Sequence, residues 1–510
     1  MEINELNALK SNILNAESEG AKKQHSNGKL TVRERISRLV DPSTFVEIGA
    51  FVEHRATSFG MQSKKVIEDG VVTGSAKINS KDVYIALQDF TAQGGTLGEM
   101  HAKKIAECQE RALKYGVPII MVNDSGGARI QEGIDALAGF GDLFNNSIKA
   151  SGVIPQISVI AGPCAGGAVY LPSLNDFIFM VNGVSNMFIT GPSVIKAVTG
   201  EVVTPEELGG AAVQNRTSGV AHFYADTEDE CFMMVKKLLS YLPQNNLDEV
   251  AVKPNTDERR TESDALDTII PDLNTKPYDV KDVIRAIVDD GDFMEVQKFF
   301  ATNIVTCFAR IFGKTVGIIA NQPKVNAGSI DSDAADKASR FIRTLDSFNI
   351  PLVTLVDVPG FLPGVKEEHK GIIRHGAKLL YAYSEASVPK ITIIMRKAYG
   401  GAYIAMCSKH LGADVVYAWP KAEIAVMGAE GAVSILYNKE LKQNSDEAFR
   451  EQKIEEYKNE FMTPLLAAKR GYIDDVIIPS STRKHIGYAL QLLKNKKTYK
   501  IQKKHGNIPL

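Results

Sequence analysis

Cysteine is scarce in this chain. Five residues among 510, Cys108, Cys164, Cys231, Cys307 and Cys407, lie far apart, and no two form a C-x-x-C pair. That pattern argues against a disulfide framework and a zinc ribbon and suits a reducing cytoplasm. Tryptophan occurs once, at Trp419, a residue for core or interface rather than chemistry. No apolar run approaches the roughly 18 residues of a membrane-spanning helix. The first 25 residues are polar and lack an apolar h-region, so no signal peptide is expected. Neither charge dominates: 59 Lys plus Arg face 61 Asp plus Glu. The basic excess of a nucleic-acid or anionic-membrane binder is missing.

Familiar catalytic signatures are missing too. There is no G-x-S-x-G elbow and no H-E-x-x-H. His54, His101, His222, His375 and His410 show no metal-ligand spacing, and no metal is expected. Gly313-Lys314-Thr315 resembles the end of a P-loop, but Phe308 stands where its first glycine belongs. The triplet lies between two β-like runs, which predicts a hairpin turn. GGTLG at 94–98 lacks the dinucleotide spacing. The basic run 494–506 reads as a solvated terminal face.

What is present is a chain 44% hydrophobic, long enough for two or three domains. Residues 1–45 read as one or two amphipathic helices with a basic stretch around Lys29–Arg38. Strand-like runs at 83–88, 118–124 and 155–162 then alternate with helical segments, one of them spanning 98–116 and stopping at glycine. This rhythm predicts βαβ units and a mainly parallel, buried sheet.

The pattern recurs. VPIIMVNDSGGA ending at Ala128 matches IPLVTLVDVPGF ending at Phe361, so Asp124 falls on Asp357, 233 positions on. Ala76 falls on Ala309 and Gln88 on Asn321 at the same offset. Gly166, Gly167 and Ala168 fall on Gly400, Gly401 and Ala402 at 234. Likeness between any two α/β domains explains the strand rhythm but not the repeated GGA. The chain reads as a duplication, with a charged, proline-containing linker at 255–279 and a cut near 260.

Each half carries two small-residue loops straight after an apolar strand: DSGGAR (124–129) and PCAGGAVY (163–170), then DVPGFLPG (357–364) and KAYGGAYI (397–404). Ligands collect beyond the carboxyl ends of parallel strands. Glycine there admits a ligand close to the backbone, and N–H groups opening a helix can hold a developing oxyanion. A lone GG pair is more often a tight turn; four loops in matched pairs point to two oxyanion holes. With no nucleophile or metal site in view, the protein would stabilise charge while substrate or cofactor supplies the reactive group.

GKLTVRERI (28–36), NDSGGARIQEG (123–133), CAGGAVY (164–170), VDVPGFLPG (356–364), GIIRHGAKLLYA (371–382), RKAYGGAY (396–403) and HGNIPL (505–510) resemble the biotin-dependent acyl-CoA carboxyltransferases, collinearly and over essentially the whole chain. The nearest members are propionyl-CoA carboxylase β subunits and methylmalonyl-CoA decarboxylase α subunits. The resemblance implies two tandem crotonase-like (ClpP/crotonase) α/β domains: 1–260 on the acyl-CoA side and 261–510 on the carboxybiotin side. It implies transfer of a carboxyl group between N1′ of biotin and the α-carbon of a short-chain acyl-CoA, propionyl-CoA or methylmalonyl-CoA first, acetyl-CoA also possible. Family members are typically hexamers, with the active site between the N-terminal half of one protomer and the C-terminal half of another. No A-M-K-M biotinyl motif or ATP-binding glycine loop is present. Biotin would therefore come on a biotin carboxylase or carboxyl-carrier subunit, or, for a decarboxylase, through a membrane subunit.

By the same resemblance, N–H groups of Gly127–Ala128 and Gly167–Ala168 would hold the enolate oxygen, and those of Gly360–Phe361 and Gly401–Ala402 the ureido oxygen. Gly126, Gly166 and Gly400 would line the substrate path. Ile404 aligns with an acyl-pocket position, with plain helix packing as the alternative. Gln214 stands where many members have His, and Lys370 where glycine is common. A crotonase-type hydratase or hydrolase is the other enzyme class in play, and would bring acidic side chains to these loops.

Overall fold

The computed structural model describes all residues except 14–18, 65, 255–261, 445 and 499–500. Met1–Glu249 and Val250–Leu510 form two compact units. The cut expected near 260 falls outside the described residues. The division comes earlier because the segment after Val250 packs on the second unit. The Lys253 N–H donates to the Gly313 carbonyl at 3.0 Å, and a Cβ on Gly313 would stand 2.1 Å from the Lys253 oxygen.

The first unit holds β1 (Val46–Ile48), β2 (Val71–Ile78), β3 (Lys81–Gln88), β4 (Ile119–Ser125), β5 (Gln156–Ala165), β6 (Phe177–Val181), β7 (Asn186–Phe188) and β8 (Phe223–Ala225). Their order is β1-β2-β3-β4-β5-β6-β8, with β7 beside β5. The second unit repeats it with β9 (Phe293–Val296), β10 (Ile304–Ile311), β11 (Lys314–Asn321), β12 (Leu352–Val358), β13 (Lys390–Tyr399), β14 (Val415–Ala418), β15 (Glu423–Ala425) and β16 (Asp475–Val476). They run β9-β10-β11-β12-β13-β14-β16, with β15 beside β13.

Strands from β3 to β8 and from β11 to β16 pair in parallel, but each sheet opens antiparallel. The cause is a two-residue turn. Asn79-Ser80 and Phe312-Gly313, 233 positions apart, all have positive φ and close hairpins of the same register, Ile78↔Lys81 and Ile311↔Lys314. Turns with two positive φ values match strand twist and join neighbours directly, whereas parallel strands need a crossover. The P-loop look-alike is thus a hairpin.

The crossover between β3 and β4 is the helix Glu99–Tyr115. Its Ala102, Ile105, Cys108 and Ala112 recur at helical spacing and join the core with Ile119 and Met121. Gly116, at φ 66°, ends it in the left-handed conformation. The helix Ile134–Ala150 lies close because Gly139 has no side chain: a Cβ there would meet that of Ala102 at 2.5 Å. Alanine at 139 would therefore overpack the contact at about 1–3 kcal/mol. In the second unit Ser332–Ser347 takes the role of Glu99–Tyr115. It is capped by Asp331, whose side chain accepts from the Ala334 N–H.

Two buried lysines mark the repeat. Lys104 Nζ donates to the Glu68 and Val71 carbonyls, and Lys337 Nζ, 233 positions on, to those of Phe300, Ala301 and Ile304. Each binds the chain entering a hairpin to the crossover helix. Burial lowers Lys104 to about 8 and Lys337 to about 7.

Candidate active site

In the first unit β4 and β5 run side by side to the pair Ser125↔Cys164 and then diverge into the two loops. Beyond β4, the Leu97 N–H donates to Gly127 O and the Arg129 N–H to Leu97 O, both at 2.9 Å. These bonds hold Ala128 between them, and among the described residues its own N–H donates to no group of the chain. Gly127 is at φ 103°, and a Cβ on it would sit 3.1 Å from the Ala165 carbonyl, so the loops are in close approach. The Gly127 N–H is used locally, donating to Ser125 Oγ at 3.1 Å, and the Gly126 N–H donates to Gly94 O at 3.0 Å. Of the N–H groups expected on this loop, that of Ala128 is the one without a partner among the described residues.

Beyond β5, Gly166 turns the chain at φ 65° into a 3₁₀ turn, Gly166–Val169, with no side-chain cap. In a 3₁₀ turn the third N–H already reaches back three residues, so Ala168 is engaged while Gly166 and Gly167 are free. Space at Gly167 is open, the nearest atom to a built Cβ being Phe140 Cδ2 at 4.0 Å.

The second unit repeats the arrangement. The Ile330 N–H donates to Gly360 O at 3.1 Å and the Leu362 N–H to Ile330 O at 2.8 Å, flanking Phe361, whose N–H has no partner among the described residues. Beyond β13, Gly400 at φ 60° opens the helix Gly400–Ala405, again uncapped. An α-helix leaves its first N–H groups free, here Gly400, Gly401 and Ala402. A Cβ on Gly401 would lie 4.0 Å from the Phe361 ring, so these two loops also sit together. Each unit thus leaves backbone N–H groups without a partner among the described residues on both of its loops, one set following a bridge and the other opening a helical turn.

Ile404 is 40% exposed on the helix Gly400–Ala405. Gln214 is occupied structurally: Nε2 donates to Met187 O at 2.7 Å and Oε1 accepts from Ser218 Oγ at 2.5 Å. Lys370 lies against Asp333 and Glu367 at 3.5 and 3.7 Å.

Sequence reasoning missed the charges beneath the loops. Asp124 is fully buried and accepts from Lys29 Nζ (2.7 Å), Arg35 Nη1 (2.8 Å) and Gln24 Nε2 (3.3 Å), while its N–H donates to Gln88 Oε1. Burial lowers the Lys29 pKa against the pull of Asp124. Burial also opposes the Arg35 charge, but Glu228 and Asp124 outweigh it and raise that pKa. Asp357, also fully buried, accepts from Arg396 Nε and Tyr278 Oη, both at 2.9 Å, and from the Lys397 N–H at 3.2 Å. Burial raises its pKa against the opposing charge of Arg396. The matched aspartates were visible in the repeat; their partners, distant in sequence, were not.

A family model described as the carboxyl transferase domain matches residues 23–508. The chain is 57% identical to the methylmalonyl-CoA decarboxylase subunit alpha of Veillonella parvula over 488 residues, 96% of this chain and 94% of that one. It is 56% identical to the propionyl-CoA carboxylase carboxyltransferase subunit of Haloferax mediterranei over 489 residues, covering 96% and 95%. Among solved structures, a transcarboxylase 12S hexamer with methylmalonyl-CoA and methylmalonic acid bound superposes with a TM-score of 0.96 at 54% identity, covering 100% of this chain and 98% of that one. The two α/β units are the crotonase-like pair that the resemblance implied, and the chain belongs to the carboxyl transferase family.

Proposed function

We propose that this chain moves a carboxyl group between biotin and the α-carbon of a short-chain acyl-CoA, propionyl-CoA and methylmalonyl-CoA being the pair. The observation that carries the reading is the doubled set of free backbone donors, Ala128 with Gly167 and Phe361 with Gly401, in a member of this family.

Forming or consuming a carbanion next to a thioester places charge on the thioester oxygen. Donors at Ala128 and Gly167 meet that charge in the first unit. Biotin supplies the ureido N1′ that carries the carboxyl group. Donors at Phe361 and Gly401 meet the charge on its ureido oxygen in the second unit. One such donor is typically worth ~3 kcal/mol of barrier. Ile404, apolar and partly exposed, faces a short acyl chain. Biotin reaches the chain on a partner subunit, and the functional assembly is a hexamer, the state named for the 54% identical 12S structure. The half-reaction is reversible, so the partner sets its direction: a biotin carboxylase drives carboxylation, a membrane decarboxylase subunit draws the carboxyl group off.

Purified chain supplied with free biotin and methylmalonyl-CoA should release propionyl-CoA in a biotin-dependent manner, read by mass spectrometry. If neither methylmalonyl-CoA nor malonyl-CoA changes, even with a biotinylated carrier domain, the reading fails.

A further inference from the structure

The basic segment before the first sheet reaches under the first pair of donors. Arg35 lies on the helix Val32–Leu39, which Thr31 and Glu34 hold in a capping box, and it is fully buried. Its guanidinium touches three separate elements. Nη1 donates to Asp124 at the end of β4 (2.8 Å), Nη2 to the Ala161 carbonyl on β5 (2.7 Å), and Nε to Glu228 at the start of the helix Glu228–Tyr241 (2.7 Å). β4 leads to the Ala128 donor and β5 to the Gly167 donor. One planar fork therefore ties together the two strands whose ends must stay in register for the donors to converge. Lys29, 8% exposed, takes the other Asp124 oxygen from beneath the Phe90 ring, its Nζ 4.4 Å from the ring centre.

β5 leaves room for this. A Cβ on Gly162 would stand 1.9 Å from Asp124 Oδ1 and 2.7 Å from Lys29 Nζ. In the second unit the matching strand position, 234 residues on, is Arg396, which supplies the counterion to Asp357 from within the sheet. The first unit has no strand-borne cation at this point and takes the charge from the segment 29–35.

We propose that Arg35 is a positioning residue of the first oxyanion hole, acting through Asp124 and the Ala161 carbonyl, with Lys29 as its auxiliary. This rests on the carboxyltransferase reading for its kinetic consequence, while its structural consequence stands apart from it. Arginine suits the place because its planar fork offers separate nitrogens to the two carboxylates and the carbonyl on three elements, a spread that one ammonium nitrogen does not span.

The test uses the full-length chain with Arg35→Met, Arg35→Lys and Lys29→Met. Hydrogen exchange is followed in the peptides covering 125–129 and 163–169, with a peptide in β11 as control. Biotin-dependent conversion of methylmalonyl-CoA is followed alongside. Arg35→Met should speed exchange in both loops and not in β11. It should lower kcat about 10–100-fold with KM for the thioester changed less than about threefold, the signature of a lost transition-state contact. Arg35→Lys should recover part of kcat. Lys29→Met, the milder change should Arg35→Met fail to fold, should lower kcat about threefold or more. Wild-type exchange in both loops, or kcat within twofold of wild type for the folded variant, overturns the proposal. A wild-type chain inactive toward both methylmalonyl-CoA and malonyl-CoA, even with a biotinylated carrier domain, would overturn the carboxyltransferase reading instead, and the exchange result would still decide the role of Arg35.

Discussion

Asp124 and Asp357 occupy the same point of the two units, yet their counterions come from different parts of the chain. Asp357 has its cation close by: Arg396 on the adjacent strand β13, immediately before the loop 397–404, while Tyr278, from the approach to the helix Val280–Ile287, adds only a neutral hydroxyl. Asp124 is served from about ninety residues upstream, by Lys29 and Arg35, with Gly162 standing where Arg396 stands in the repeat. Donor geometry survived the duplication while the charge beneath it was supplied anew. Backbone N–H groups fixed by bridges such as Leu97↔Ala128 and Ile330↔Phe361 tolerate sequence change. A buried carboxylate does not tolerate loss of its partner, since an uncompensated buried charge costs about 3–5 kcal/mol.

The largest expected effect removes a donor outright. Gly401→Pro deletes an N–H where the backbone has ordinary φ and a side chain has room, and turnover should fall about 10²–10³-fold. Gly167→Pro should do the same in the first unit. Next comes the counterion. Arg396→Met should destabilise the second unit by about 3–5 kcal/mol, read as a lowered unfolding midpoint in urea. Gly162→Ala should be damaging in the first unit, because its Cβ would displace Asp124 and Lys29, whereas alanine at the open Gly401 should be nearly silent. The buried lysines provide a smaller contrast. Lys337→Met strands three carbonyls and Lys104→Met two, so both should cost about 2–4 kcal/mol, the former more. The smallest effect is conformational. Gly94 and Ala327 share a left-handed turn at φ 64° and 52°. Ala327→Gly should raise stability by up to about 1 kcal/mol and Gly94→Ala lower it by as much, since only glycine enters that region without cost.

Much of this was legible in the sequence. The offset of 233 located the strands, the matched aspartates and the donor loops, because strand runs and small-residue turns are local signals. The helix stop at Gly116 and a hairpin at Gly313 followed from local chemistry too, although the turn is Phe312-Gly313 and Lys314 and Thr315 already belong to β11. Three things were not legible. The antiparallel edge strands β1 and β9 depend on pairing that alternation alone does not specify. The use of the Gly127 and Gly126 N–H groups within their own loop depends on where Ser125 Oγ and Gly94 O lie. Lys29–Arg38 reads only as a basic stretch among amphipathic helices, and only the fold carries Lys29 and Arg35 to Asp124.

The central claim is that backbone donors, not side chains, do the chemistry. Its most direct test compares Gly401→Pro with Gly401→Ala in biotin-dependent conversion of methylmalonyl-CoA, with folding and assembly of each variant checked alongside. The account predicts that the alanine variant, which keeps the N–H, stays within a few-fold of wild type while the proline variant loses at least about a hundredfold. A folded proline variant within tenfold of wild type would contradict it.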